Sequence, residues 1–213
     1  MHCLTRSDIE KMEKVPRLKL VNALPGFKSA NLLGTVNGNG VENLAVFSSV
    51  IHIGSNPPLL GFMLRPTTVP RHTYDNIRDN DGWYTVNHIH REIFERAHQT
   101  SGNYRADLSE FEQCGLASWY SDTCPAPYVR EARIRIGMKM VEEHLVLANE
   151  TRLIVGSVEE VWIPDSPDGE EYSLDLEQAG TVAISGVDGY HETRRIDRLG
   201  YVRVDDTLKR PGL

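Results

Sequence analysis

The sequence is short of cysteine, of basic charge and of long apolar runs, and each shortage excludes a class of function. Its three cysteines, Cys3, Cys114 and Cys124, are an odd number without metal-type spacing. That sets aside a disulfide framework or a cysteine-ligated zinc site, and reduced thiols of a cytoplasmic protein are expected. Lys and Arg number 23 against 30 Asp and Glu, a formal net charge of −7. Nucleic-acid phosphate needs a basic face that this balance does not supply. No stretch reaches the roughly 20 apolar residues that cross a bilayer. The opening MHCLTRSDIEKMEK is polar rather than signal-like. Neither nucleic acid nor membrane is therefore expected as a partner, and the sequon Asn149-Glu150-Thr151 has no use. Internal repeats and low-complexity segments are absent too. So is a continuous βαβ rhythm, and Gly38-x-Gly40-x-x-Asn43 lacks the third glycine of a dinucleotide fingerprint.

What is present suits a folded domain. Hydrophobic residues make up 40% and charged residues 25% of the 213 residues. One domain over 1–213 is expected, with 1–17 as an N-terminal extension and 164–213 as a C-terminal elaboration. Ser7-Asp8-Ile9-Glu10 has capping-box form and suggests a short helix ending before Pro16. Short apolar runs follow at Leu18 to Leu24, Ala30 to Val36, Asn43 to Ile53 and Leu59 to Leu64. They are separated by turn signals, among them Asn37-Gly38-Asn39-Gly40, and read as strands. His72 to Asp81 breaks the rhythm as a short helix, with Thr73 as its cap and Asp81-Gly82 as its stop. Trp83 to Ile89 alternates like a half-buried strand, and Arg91 to His98 has helical composition. Ser109 to Glu112 forms a second capping box, stopped by Gly115. Ile134 to Leu147 and Arg152 to Ile163 are long strand-like stretches, followed by a polar loop from Pro164 to Glu171 and a helical turn around Leu174 to Ala179. The fold class is mainly β: a β-barrel with short helices.

Two stretches carry candidate chemistry. In Asn43-Leu44-Ala45-Val46-Phe47-Ser48-Ser49, consecutive hydroxyls within one strand would project to opposite faces. Each needs a hydrogen-bond partner, either a polar ligand or neighbouring backbone. Arg65, Thr67, Thr68, Arg71, His72 and Thr73 place two arginines and three threonines at a helix start. Guanidinium forks and free helix N–H groups suit an anion, and a solvated basic loop is the alternative.

The ordered set resembles the flavin reductase-like family of FMN-binding split barrels, which includes the flavoredoxin-like proteins. The resemblance runs from NGNGVENLAVFSSVIHIGSNPPLLGFMLRP through HTYDNIRDNDGWYTVN and Ser109 to Leu116. It continues in Arg152 to Val161, Gly186 to Tyr190 and Arg198 to Tyr201. The sequence departs from the pattern at Ser157, where the family's G-E-V strand carries glutamate. The resemblance implies a Greek-key type split barrel holding FMN, with FAD as the possible substitute and NAD(P)H as co-substrate stacked directly on the flavin. Phe47, Ser48 and Ser49 would line the isoalloxazine edge. Arg65, Thr68, His72 and Thr73 would surround the ribityl chain and phosphate, with Asn31 and Asn87 as further contacts. A homodimer with the flavin at its interface is implied, where Tyr104 or Tyr190-His191 would cover the ring from the partner. The implied activity is an NAD(P)H-dependent flavin reductase passing hydride through flavin N5, with a monooxygenase or redox protein as partner. The alternatives are a flavoredoxin-like electron carrier and a flavin-storage protein. No catalytic dyad is required, because the flavin carries the redox chemistry.

Rival sites are weaker. His88 and His90 alternate along a strand and could share a face with His52 nearby, but no carboxylate or cysteine stands at supporting spacing, so no metal is expected. Nothing fixes Cys114 beside a histidine as a nucleophile pair. Glu142-Glu143-His144 lacks the second histidine of a metalloprotease helix.

Overall fold

The computed structural model describes residues 1–165 and 174–200. Most of the expected loop from Pro164 to Glu171 and the segment from Tyr201 onward lie outside the described residues. Two helices come first, α1 (Arg6–Lys11) and α2 (Lys14–Ala23). The strands then begin with β1 (Lys28–Ser29), β2 (Asn31–Val36), β3 (Glu42–Phe47), β4 (Ile51–Ser55) and β5 (Pro58–Leu64). Helix α3 (His72–Asp79) leads into β6 (Trp83–His88), followed by α4 (Phe94–Gln99) and α5 (Glu110–Gln113). Last come β7 (Ser118–Trp119), β8 (Tyr128–Val129), β9 (Arg135–Val146), β10 (Thr151–Trp162), β11 (Val182–Ser185) and β12 (Gly189–Glu192).

The main sheet has seven antiparallel strands in the order β3-β2-β6-β9-β10-β5-β4. Its edge strands, β3 and β4, are consecutive in sequence. Phe47 on β3 nevertheless meets Phe62 on β5 edge to face, with centroids 5.1 Å apart, and Phe62 meets Tyr84 on β6 at 5.5 Å. The sheet has rolled on itself, and its two edges meet without a continuous ladder: a split barrel. Leu33, Phe62, Tyr84, Val86, Met138 and Ile154 fill the interior. A second core of Leu32, Leu44, Ile89, Ile93, Phe111 and Val129 lies on the outer face, under α4, α5 and the small β1-β11-β12 sheet. Period-two alternation along β2 and β6 divides neighbouring residues between these two cores. Gly34 marks the tightest point: a Cβ there would run into the Pro127 carbonyl oxygen and the Thr85 hydroxyl.

Several local expectations need correction. The capping box at α1 is Thr5 with Asp8, not Ser7 with Glu10: Asp8 N reaches Thr5 Oγ1 at 3.3 Å and Thr5 N reaches the Asp8 carboxylate at 2.8 Å. The run from Leu18 is helical. Lys, Arg, Leu and Ala favour helix there, and Pro16 sits in the first turn, where its missing N–H costs nothing. Gly26, at φ 80°, follows its end. The single strand expected over Asn43 to Ile53 divides into β3 and β4, because Ser49 turns to hydrogen-bond another strand. Thr73 does not cap α3; Arg71 occupies the cap position without a side-chain bond, and Thr73 is buried in the first turn. The Ser109–Glu112 box is not formed either. Glu110 instead turns inward and accepts a hydrogen bond from Leu44 N at 3.0 Å, satisfying an amide of the edge strand β3. Around Leu174 to Ala179 the chain makes a hydrogen-bonded turn, Ala179 N to Asp175 O at 3.0 Å. β11 and β12 form a hairpin that turns through Gly186, Val187 and Asp188, the start of the Gly186 to Tyr190 segment.

Candidate functional site

The barrel rolls β3 against β5, so the loops that follow both strands lie in one region. Phe47 is the last residue of β3. Its register partner on β2 is Asn31, whose own partner on β6 is His88. Residues opposite one another in a sheet share a face, so Phe47, Asn31 and His88 form a row on the inner face. Asn31 is buried and donates Nδ2 to Ser29 Oγ at 3.0 Å. His88 was not assigned to the flavin site from sequence. Its Nδ1 is buried without a partner among the described residues, and burial pushes its imidazole down to about 4. A neutral ring is therefore held at the end of the row. The alternation of Tyr84, Val86 and His88 was the signal that would have placed it.

Ser48 and Ser49 lie beyond the strand end and do not divide between the faces of a sheet. Ser48 is half-buried, and its hydroxyl has no protein partner among the described residues. Ser49 is committed: its hydroxyl donates to Met63 O at 3.1 Å and accepts from Met63 N at 3.2 Å. This side chain stitches the split edge of the barrel.

The anion-binding candidate begins where β5 ends. Arg65 is exposed, Thr68 is exposed in the turn that follows, and Arg71 donates Nε to Pro66 O at 3.1 Å, closing the loop. Neither Arg65 nor Arg71 enters an ion pair among the described residues. In an acidic chain, two arginines without carboxylates, at the head of a helix with no side-chain cap, fit a phosphate. His72 opens α3 near the buried Glu110, whose carboxyl burial raises and a positive charge on His72 lowers. Thr73 accepts a hydrogen bond from Asn43 Nδ2 at 3.2 Å and is held inside.

Two predicted residues stand apart. Asn87 is fully buried on the outer face, donating to Leu32 O (3.1 Å) and Thr85 Oγ1 (2.9 Å) and accepting from Val129 N (3.0 Å). No group of Asn87 remains for a ligand. Tyr104 lies by Cys114, hydroxyl to Sγ 3.6 Å, and bonds Gln99 O at 3.3 Å within its own chain.

The histidines are dispersed as well. His90 pairs with Glu131 O at 2.9 Å and His52 is exposed on β4. Among the described residues no group of three or more His, Cys, Asp or Glu is placed to hold a metal. A cavity of about 330 Å³ lies between the β2–β3 turn and α3. It shares His72 with the loop, but Glu42, Asp75 and Asp79 line it, and carboxylates oppose a phosphate. The cavity is a feature separate from the anion loop.

Comparison with known proteins identifies the family and the fold. A family model described as the flavin reductase like domain matches residues 24–183. A solved split-barrel protein from Shewanella frigidimarina, assigned to the flavin reductases, is 42% identical. It superposes with a TM-score of 0.88 over 95% of this chain and 100% of its own. Flavoredoxin of Desulfovibrio vulgaris shares the fold at 20% identity, with a TM-score of 0.68 over 84% of this chain and 92% of its own. An uncharacterised Aquifex aeolicus protein is 27% identical over 124 residues, 57% of this chain and 63% of that protein. The chain spans less than two thirds of the length of the curated relatives it matches.

Proposed function

The chain belongs to the flavin reductase like family, and from that premise we propose that it holds FMN and acts as an NAD(P)H-dependent flavin reductase. The observation that carries this reading is the loop from Arg65 to His72: two arginines without carboxylate partners at the head of α3, beside the strand end that bears Phe47 and the uncommitted Ser48. Arg65 and Arg71, with the Thr68 hydroxyl and the first amides of α3, hold the phosphate. Phe47 and Ser48 flank the ring, and Asn31 with the neutral His88 supports its polar edge. The chemistry that a bound flavin supplies is acceptance of hydride at N5. No side chain has to move a proton for that transfer, so the residues bind, orient and exclude water. FAD shares the phosphate that this loop grips and is the substitute cofactor.

A homodimer with the flavin at its interface completes the proposal, and the exposed apolar residues Ile51 and Ile53 on the edge strand β4, with Val69 in the loop, suit a second copy as cover. Tyr104 would then act across the interface rather than within its own chain. A monooxygenase or another redox protein is the proposed acceptor, in a cytoplasm that keeps the three thiols free. The second reading is a flavoredoxin-like carrier, a kind of protein with which this chain shares its fold; the lack of a nicotinamide fingerprint does not separate the two, because the nicotinamide would stack directly on the flavin. Anaerobic addition of NADH or NADPH to the FMN-loaded protein separates the two. Bleaching of the flavin by nicotinamide alone is the expected result. A flavin inert to nicotinamide yet reduced by a protein donor makes the chain a carrier.

A further inference from the structure

We propose that the N-terminal helical arm of one copy of this chain docks on the tip of the β9–β10 hairpin of a second copy. The proposal names the surfaces that hold the homodimer together and rests on that part of the flavin reading. Helices α1 and α2, of 6 and 10 residues, bury none of their residues. Helices this short are marginal in water without packing. Val15, Leu18, Val21 and Leu24, with Phe27 at the root of the arm, are 40–70% exposed. Phe27 meets His191 edge to face, with centroids 4.8 Å apart. No hydrogen bond or ion pair among the described residues joins residues 1–27 to the rest of the chain. The packing partner that the arm needs is not in its own copy.

The hairpin tip is bare in the same way. Strand β6 pairs with β9 only as far as Lys139, so from Val141 onward that edge of β9 faces no strand among the described residues. Val141, Leu145, Val146 and Leu147 are 37–84% exposed there. The two surfaces are opposite in charge. Residues 14–27 carry Lys14, Arg17 and Lys19 and no carboxylate, a formal charge of +3 in a chain of net charge −7. Residues 140–151 carry three glutamates and no Lys or Arg, a formal charge of −3. Arg152 and Tyr74 answer Glu143, while Glu142 and Glu150 are exposed. Apolar contact drives such an association, and opposite charge sets its partner and register. An anionic membrane would match the basic arm but leave the acidic, apolar hairpin bare. Each copy offers one arm and one hairpin, so a two-fold axis satisfies both at once.

The test begins with the unaltered full chain. Equal amounts of unlabelled and isotope-labelled protein are mixed and joined by a carbodiimide, which links lysine to carboxylate without a spacer. Cross-links from Lys14 or Lys19 to Glu142 or Glu150 in mixed-isotope pairs are the expected result. Sedimentation equilibrium should show a dimer, weakened at least about tenfold by Leu18→Ser/Val21→Ser and by Glu142→Lys/Glu150→Lys. Adding Lys14→Glu/Lys19→Glu to the second variant should restore it, with melting temperature and FMN uptake unchanged throughout. Cross-links confined to one copy, or full-strength dimers in both double variants, would overturn the proposal. So would an arm variant that stays dimeric but no longer binds phosphatidylserine vesicles, which would make a membrane the occupant. A monomeric parent chain would remove the homodimer as well, whereas a dimer indifferent to these changes would remove only this assignment.

Discussion

At the head of α3, Arg65 and Arg71 carry charges that no described carboxylate answers, and the strongest residue-scale prediction rests on Arg65. Arg65→Ala should weaken FMN by about 10- to 100-fold, the size of one or two charge-assisted hydrogen bonds. Riboflavin, which lacks the phosphate, should bind as before. Equal losses for both ligands, measured by fluorescence titration, would show that Arg65 is not a phosphate anchor. His88 sets a pH dependence. Its imidazole is held at about 4 against an ordinary 6.5, so the unfolded chain takes up a proton that the folded chain refuses. The contribution to stability is complete above pH 6.5 and is lost as pH falls toward 4, roughly 3 kcal/mol in all. Melting curves should show a steep loss between pH 6.5 and 4.5 that His88→Leu reduces; an unchanged slope in the variant would place the titration elsewhere. Glu110 works in the opposite sense. Burial raises its carboxyl, so its share of stability is present in acid and declines as pH rises past the ordinary value of 4.5. Both roles were hidden in the sequence. Glu110 looked like a capping residue and His88 like an ordinary solvated or hydrogen-bonded histidine, because neither one's long-range neighbour, Leu44 or Asn31, can be read from local spacing.

At the scale of elements, hairpins and turns were legible because their chemistry is local. Asn37 to Gly40 makes the β2–β3 turn, with Gly40 at φ 80°, and Asp81-Gly82 closes α3 with both residues at positive φ. The long β9–β10 pair was plain from apolar length alone. Element α2 was not: its leucines and valines suit a helix or a strand, and the helix-favouring Lys, Arg and Ala among them, with Pro16 in the first turn, decide for helix. The break after Phe47 was also invisible, since Ser49 leaves the strand to bond Met63, fourteen residues away in sequence. That bond joins the split edges of the barrel. Ser49→Ala leaves the Met63 amide without its partner and should cost about 1–3 kcal/mol. Chemical denaturation measures this; a loss below about 0.5 kcal/mol would mean that the edges close without it.

For the whole molecule, composition set the outer limits and the ordered series of short strands pointed to a barrel, but strand order could not be read. Neighbours such as β2 with β6 and β10 with β5 depend on contacts far apart in sequence. The proposed site follows from that order, because rolling β3 onto β5 brings the end of β3, with Phe47 and Ser48, toward the end of β5 that leads into Arg65. Asn87, on the face opposite Asn31 and His88, shows how a one-residue shift in a strand moves a side chain away from the proposed site. This region is proposed to seat a flavin. The most direct measurement is the visible absorbance of the purified protein, before and after dialysis against FMN. A yellow protein that retains about one flavin per chain is the predicted result; a colourless protein that takes up neither FMN nor FAD would contradict it.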